Sequence, residues 1–203
     1  MDNIPSPLLK RCVSELAKLP GIGKKTALRL AIHLLKQKPD YAIALGNSII
    51  DLKKNIKFCT ICHNISEQDL CEICNNPKRN HHQICVVENI QDILAVENTM
   101  QYNGSYHILN GIISPMDGIS PSDLNIESLI ARVETGKIQE IIFALPTTVE
   151  GDTTNFYLYR KLSASTNIIS TIARGVSVGD EIEFIDEVTL GRSIINRIPY
   201  HGD

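Results

Sequence analysis

Two cysteine pairs, Cys59-x2-Cys62 and Cys71-x2-Cys74, are separated by only the eight residues 63–70. A tight Cys-x2-Cys turn offers two thiolates on one side, and two such turns supply the four soft ligands that tetrahedral Zn²⁺ prefers. The segment around them, residues 57–78, is otherwise polar and has few large apolar side chains. Such a segment has little to hold its shape without a metal. The alternative is a pair of disulfides or free thiols. The N-terminus, Met1-Asp2-Asn3-Ile4-Pro5, carries no export signal, so a reducing cytoplasmic setting and metal-bound thiols are expected. Four thiolates close the coordination sphere. The expected ion is therefore structural, one Zn²⁺ per chain.

A second group is acidic. Glu88 follows the apolar run Ile84-Cys85-Val86-Val87, and Glu150 and Asp152 follow the run Glu140–Leu145 after a short loop. If the two runs are neighbouring strands of a parallel sheet, their carboxyl ends open on one crevice. Three carboxylates there suit Mg²⁺ held through oxygen and water. The spacing Glu150-Gly151-Asp152 places two of them in one tight turn. The competing reading has Asp152 capping a helix and Glu150 solvated.

A third group is cationic. The string Leu19-Pro20-Gly21-Ile22-Gly23-Lys24-Lys25 joins two helical patterns through glycines that can take positive φ. The amides of Gly23 and Lys24 would open a helix, a ready seat for an anion. Along that helix Lys25, Arg29, His33 and Lys36 recur on one face, opposite an apolar surface that includes Ala27, Leu28, Ala31 and Leu34. A phosphate seat beside a cationic stripe suits backbone contact with nucleic acid. The bland alternative is an ordinary helical corner with a solvated face.

These groups need elements to hold them. Residues 1–54 read as three helices: one capped by Ser6 with Pro7 first, one over about 24–37 that ends at Pro39, and one over about 41–53. From residue 81 onward, strands and helices alternate. Strands are predicted at 84–87, 106–109, 140–145 and 167–173, with helices at 92–96, 126–133 and 153–162. That order implies a parallel sheet with crossover helices. A last helix is expected near 188–197. His81 and His82 read as loop, and Cys12 and Cys85 as buried structural thiols. The chain has 203 residues, 43% of them hydrophobic, and a net charge of -3. The charge excludes a uniformly basic surface, so any nucleic-acid contact must be local. No apolar run reaches membrane-spanning length.

The glycine string resembles the helix-hairpin-helix motif. Glu88 followed by Glu150-x-Asp152 resembles the Toprim pattern, with Glu where its second element usually begins with Asp. Taken with the four cysteines, the order resembles the RecR family of bacterial recombination mediators over nearly the whole chain. The resemblance extends through Cys85-Val86-Val87-Glu88, Ile113-Ser114-Pro115-Met116-Asp117-Gly118-Ile119, Thr148-Val149-Glu150-Gly151-Asp152, Ala173-Arg174-Gly175-Val176-Ser177-Val178-Gly179 and Asp186-Glu187-Val188-Thr189-Leu190. The chain departs from the family at Leu145-Pro146-Thr147, where Thr-Asn-Pro is expected, and at Ser177, where proline is common.

The fold implied is α+β and multi-modular. It has a helix-hairpin-helix region at 1–54, a four-cysteine zinc finger at 55–78, an α/β Toprim domain with a mainly parallel sheet at 79–174, and a C-terminal extension at 175–203. The family role implied is non-catalytic. Its members act with RecO, and in some pathways RecF, to load RecA onto single strands coated by the single-strand-binding protein. They form ring-like homo-tetramers that contact gapped, single- or double-stranded DNA without sequence preference, in the cytoplasm at the nucleoid. Carried onto this chain, the resemblance assigns DNA contact to Gly21, Gly23, Lys24, Lys25 and Arg29. It assigns a partner or Mg²⁺ to Glu88, Glu150 and Asp152.

Overall fold

In the computed structural model, residue 4 and residues 6–165 and 168–199 are described. The chain divides into two units, Met1–Ile56 and Lys57–Asp203.

The first unit is helical. Helix α1 (Pro7–Leu16) starts where Ser6 accepts a hydrogen bond from the Leu9 amide at 3.4 Å, with Pro7 in the first turn. Helix α2 (Lys24–Lys36) packs on it through buried Val13, Ala27 and Ala31, with Leu9, Leu16, Ile22 and Leu28 around them. Cys12 is half-buried at the margin of this cluster. The two alanines on α2 let the helices approach closely. Helix α3 (Pro39–Asn55) opens on Pro39, which sits in its first turn. The proline that ends the α2 pattern therefore also begins the next helix, because the first turn needs no amide from it. No side chain of α3 is buried.

The second unit begins with the cysteine segment. Strands β1 (Lys57–Phe58) and β2 (Ile65–Ser66) pair antiparallel, and a one-turn helix α4 (Glu72–Asn75) follows. Then come β3 (Asn80–Val87), α5 (Ile90–Asn98), β4 (Gly104–Ile108), α6 (Ile126–Glu134), β5 (Glu140–Ala144), α7 (Val149–Leu162) and β6 (Ile168–Thr171). The four later strands form one sheet, ordered β4-β3-β5-β6, with every pairing parallel. Alternation of strand and helix dictates this, since parallel neighbours need crossovers. Strand β3 is buried along Ile84–Val87, as a continuous apolar run in a central strand should be. One face carries Ile84, Val86, Ile141 and Phe143 against Leu129, Val133, Leu158 and Leu162 of α6 and α7. The other carries Cys85, Val87, Tyr106 and Ile108 against Ile93 of α5. Burial, and then Asp92, push the Cys85 thiol up to about 12, so it is an inert core group, as expected.

Two expectations are corrected. His81 and His82 lie on β3 rather than in a loop. Their ring nitrogens meet the carbonyls of Asn76 at 2.9 Å and Lys137 at 2.7 Å. Helix α7 begins at Val149, not near 153, because Thr148 caps it and accepts from the Gly151 amide at 3.1 Å. Asn167, placed in the last strand by the sequence pattern, lies outside the described residues. Asp186 caps a final helix, α8 (Glu187–Ile195), by accepting from the Thr189 amide at 2.9 Å. None of the described helices is long and apolar enough to cross a membrane.

Candidate metal centre and nucleic-acid interface

The four cysteines meet. Their sulfur atoms all lie within 4.8 Å of one another, and Cys62 Sγ is 3.5 Å from Cys71 Sγ. Cys59, Cys62 and Cys71 are buried, Cys74 is half-buried, and none of the four is in a disulfide. The turns that bring them together are local. His63 takes a left-handed φ of 64°, which reverses the chain after Cys62, and its amide binds the Cys59 carbonyl at 3.0 Å. Cys71 caps α4 through sulfur, accepting from the Cys74 amide at 3.4 Å. So many thiols cannot all ionise in this space without a cation. Hydrogen bonds from Cys62 and then Cys74 hold Cys71 well below the usual thiol range, while the bond to Cys71 pushes Cys62 up. A divalent ion removes that conflict by stabilising every thiolate at once. The donor set fits structural zinc.

The cysteine segment is docked on the sheet. The Ile108 amide at the end of β4 donates to the Cys62 carbonyl at 2.9 Å. His63 Nε2 lies 2.8 Å from Ser128 Oγ, which itself donates to the Asn125 carbonyl at 3.0 Å. Nε2 of His63 is therefore the donor of that pair. The His63 ring meets His107 edge-on, with centroids 5.2 Å apart. His107 is fully buried; its Nε2 donates to the Asn125 carbonyl at 2.8 Å, and burial holds its pKa down to about 3.

The acidic residues are distributed differently. Val87 and Ala144 pair in register, so Glu88 and the loop toward Glu150 do leave neighbouring strand ends. This is the point where the sheet order reverses, the usual crevice of an open parallel sheet. Glu150 and Asp152, however, occupy the first turn of α7 rather than a turn before it. The Asp152 carboxylate forms a two-pronged ion pair with Arg174, whose Nη1 is 3.2 Å away, and the guanidinium holds that carboxyl below its ordinary range. Glu88 shifts the other way, raised by burial and then by Asp92. Among the described residues the cysteines alone gather as a set of three or more potential metal ligands. The three carboxylates do not.

Gly151, between the two carboxylates, has a steric role. A Cβ there would lie 1.9 Å from the Pro146 carbonyl oxygen, so the start of α7 packs directly against the loop backbone. Thr154, buried on the same helix, accepts from the Ile113 amide at 2.9 Å and pins the loop that contains Ile113.

In the first unit, Gly21 has φ 76°, the left-handed conformation that favours glycine, whereas Gly23 at φ -77° does not need it. Gly23 instead caps α2 with no side-chain oxygen, leaving the first helical amides without a capping acceptor. A side chain on either glycine would meet open space. Lys24, Lys25, Arg29, His33 and Lys36 are all exposed, and Lys25, Arg29, His33 and Lys36 line one shallow groove with Leu28 and Ile32. No ion pair from the stripe occurs among the described residues. Of the residues assigned to DNA contact, the groove takes in Lys25 and Arg29; Gly21 and Gly23 lie in the turn before α2 and Lys24 is its first residue.

Arg132, Arg174 and His107 carry no signature in the spacing of the sequence. Each works through tertiary partners far away in sequence, and no local pattern marks them.

Four family models match in chain order: the RecR helix-hairpin-helix over residues 9–53, the RecR four-cysteine zinc finger domain over 56–76, the Toprim domain over 82–173 and the RecR C-terminal model over 175–198. The recombination protein RecR of Bacteroides thetaiotaomicron is 60% identical over 198 residues, covering 98% of this chain and 97% of that protein. That of Flavobacterium johnsoniae is 57% identical over 195 residues, covering 96% of this chain and 95% of that protein. That of Porphyromonas gingivalis is 53% identical over 200 residues, covering 98% and 97%. With a four-cysteine cluster, an exposed glycine hairpin and a parallel sheet in this order, the chain belongs to the RecR family.

Proposed function

We propose that this protein is a non-catalytic DNA-binding mediator of recombinational repair. It acts with RecO, and in some pathways with RecF, to load RecA onto single strands coated by the single-strand-binding protein. The observation that carries this reading is the exposed stripe Lys25, Arg29, His33 and Lys36 beside the uncapped amides that follow Gly23. Such a surface grips phosphates and reads no base edges, so binding is independent of sequence. Gly21, Gly23 and Lys24 shape and flank the seat, and Lys25 and Arg29 supply the charge.

Self-assembly into a tetrameric ring is part of this reading. Helix α3 exposes Tyr41, Leu45, Ile49 and Leu52 along one face, an apolar surface that water disfavours. The C-terminal region exposes Ile182, Phe184, Val188 and Ile195. Copies joined through such faces would repeat the cationic stripe around DNA. Many weak contacts would then add through effective concentration, despite a net charge of -3. A cytoplasmic, nucleoid-associated location follows from this role.

Glu88, Glu150 and Asp152 are assigned to a partner surface. The Arg174 pairing supports this over Mg²⁺, because Asp152 already faces a cation. The test is RecA filament formation on gapped DNA coated by the single-strand-binding protein, with a RecO partner and Mg²⁺ present. Faster filament formation on intact DNA supports the mediator. Mg²⁺-dependent cleavage that disappears in Glu88→Gln would make the crevice an active site and overturn it.

A further inference from the structure

The cysteine segment and α6 enclose a cleft lined by Thr60, Cys74, Ser128, Arg132 and Lys137, among others. Arg132 enters it from α6, half-buried. Its Nη1 donates to the Tyr106 carbonyl and its Nη2 to Ser105 Oγ, each at 2.7 Å. Both acceptors are uncharged. Among the described residues the ion pairs are Lys18–Glu15, Lys57–Asp69, Arg79–Glu97 and Arg174–Asp152, so no carboxylate pairs with Arg132. A cation withdrawn from water without an anion is costly and calls for one.

The metal centre is a candidate anion, because Cys74 lines the same cleft as Arg132. Both acceptors of Arg132 lie on β4, the strand whose final amide binds the Cys62 carbonyl. The guanidinium and the first cysteine turn therefore meet on one strand. Four thiolates around one divalent ion leave two net negative charges. Three of the sulfurs are buried, so water neutralises that charge poorly. The sulfurs of Cys74, Cys62 and Cys59 each favour the charged guanidinium, against a larger opposing effect of burial. Lys137, at the rim of the same cleft, is exposed, and solvent screens it. His81, also in the cleft, is occupied with the Asn76 carbonyl.

We propose that Arg132 is the counter-charge of the zinc–tetrathiolate centre, a positioning residue that strengthens its hold on zinc and ties metal occupancy to β4. This rests on the zinc reading of the four cysteines. Arg132 takes no part in coordination. It stabilises the charged state of the ligands and orients their support, as groups just outside a metal's ligands commonly do.

The test compares zinc transfer to a chromogenic chelator from the full-length wild type, Arg132→Gln, Arg132→Lys and Ser105→Ala. Absorption of the Co²⁺-substituted proteins in the thiolate-to-metal region is recorded alongside. The proposal expects Arg132→Gln to lower zinc affinity by about 10- to 100-fold and to shift the Co²⁺–thiolate band. Arg132→Lys, which keeps the charge, recovers most of the affinity. Ser105→Ala, which removes a hydrogen-bond partner of Arg132 but keeps the charge, stays close to wild type. Arg132→Gln within about twofold of wild type would overturn it, as would Ser105→Ala losing as much as Arg132→Gln. If Arg132→Gln does not fold, Arg132→Lys decides: near-normal zinc retention supports the proposal, and a loss of about 10-fold or more overturns it. A wild type that carries no zinc would overturn the zinc reading, and the proposal with it.

Discussion

The amide of Ile108 donates to the carbonyl of Cys62 at 2.9 Å, so the last residue of β4 is held by the first cysteine turn. Among the described residues strand β4 is an edge strand, paired only with β3. An open edge is a template for unwanted pairing, and here the metal-binding segment covers part of it. The cysteine cluster thus supports the sheet as well as itself. Cys59→Ser or Cys71→Ser should lower Tm by about 5 °C or more, because loss of a metal ligand removes folding free energy. Hydrogen exchange at the Ile108 amide should speed up in the same variants. An excess of chelator should reproduce both effects in the wild type. Unchanged Tm and exchange would show that the cluster carries no structural weight.

Gly151 offers a test of the α7 entry. Its missing side chain leaves room for the Pro146 carbonyl oxygen, which a Cβ would approach to 1.9 Å. Backbone has few ways to yield. Gly151→Ala should destabilise the protein by about 2 kcal/mol or more in denaturant unfolding, a typical cost of overpacking. Thr153→Ala, exposed on the same helix, serves as the control and should stay within about 0.5 kcal/mol. Similar values for the two would mean that the loop moves aside freely.

His107 should give the fold a pH signature. Buried, it stays neutral down to about pH 3. In the unfolded chain it takes up a proton near pH 6.5. Between those values the unfolded state binds a proton that the folded state does not. Its contribution is therefore complete above about pH 6.5 and is lost progressively as pH falls toward 3, with a slope limited to about 1.4 kcal/mol per pH unit. His107→Gln should flatten the stability profile between about pH 5.5 and pH 7, measured by denaturant unfolding with zinc in excess. An unchanged slope would mean that His107 does not titrate on unfolding as described.

What the sequence revealed follows from the range of the interactions. The Cys-x2-Cys turns, the Ser6 cap, the glycine hairpin and the buried run Ile84–Val87 are local features, and each was legible. The parallel sheet followed from the alternation of strand and helix patterns. The exact start of α7 was not legible. Thr148 caps it, and a capping threonine resembles any loop threonine until the helix is seen. His81 and His82 read as loop because polar residues ahead of an apolar run look like one. The strand extends through them because pairings flank them, Asn80 with Gly104 and Gln83 with Glu140, with a register shift on the β4 side between Asn80 and Ile84. The acidic group was legible as three positions but not as a geometry. Arg174, 22 residues from Asp152, neutralises one member, and no spacing rule points to it.

A mediator's α2 stripe should grip DNA and leave it intact. The most direct measurement is binding of gapped DNA across a salt series, wild type beside Lys25→Ala/Arg29→Ala, with Mg²⁺ present and the DNA examined afterwards. The wild type should bind in a salt-sensitive way and leave the DNA uncleaved. The double variant should bind more weakly on every sequence tested, with a salt slope reduced by about 1 for each phosphate no longer neutralised, and with unchanged Tm since both side chains are exposed. Equal binding by the two proteins, or cleavage by the wild type, would contradict the mediator role.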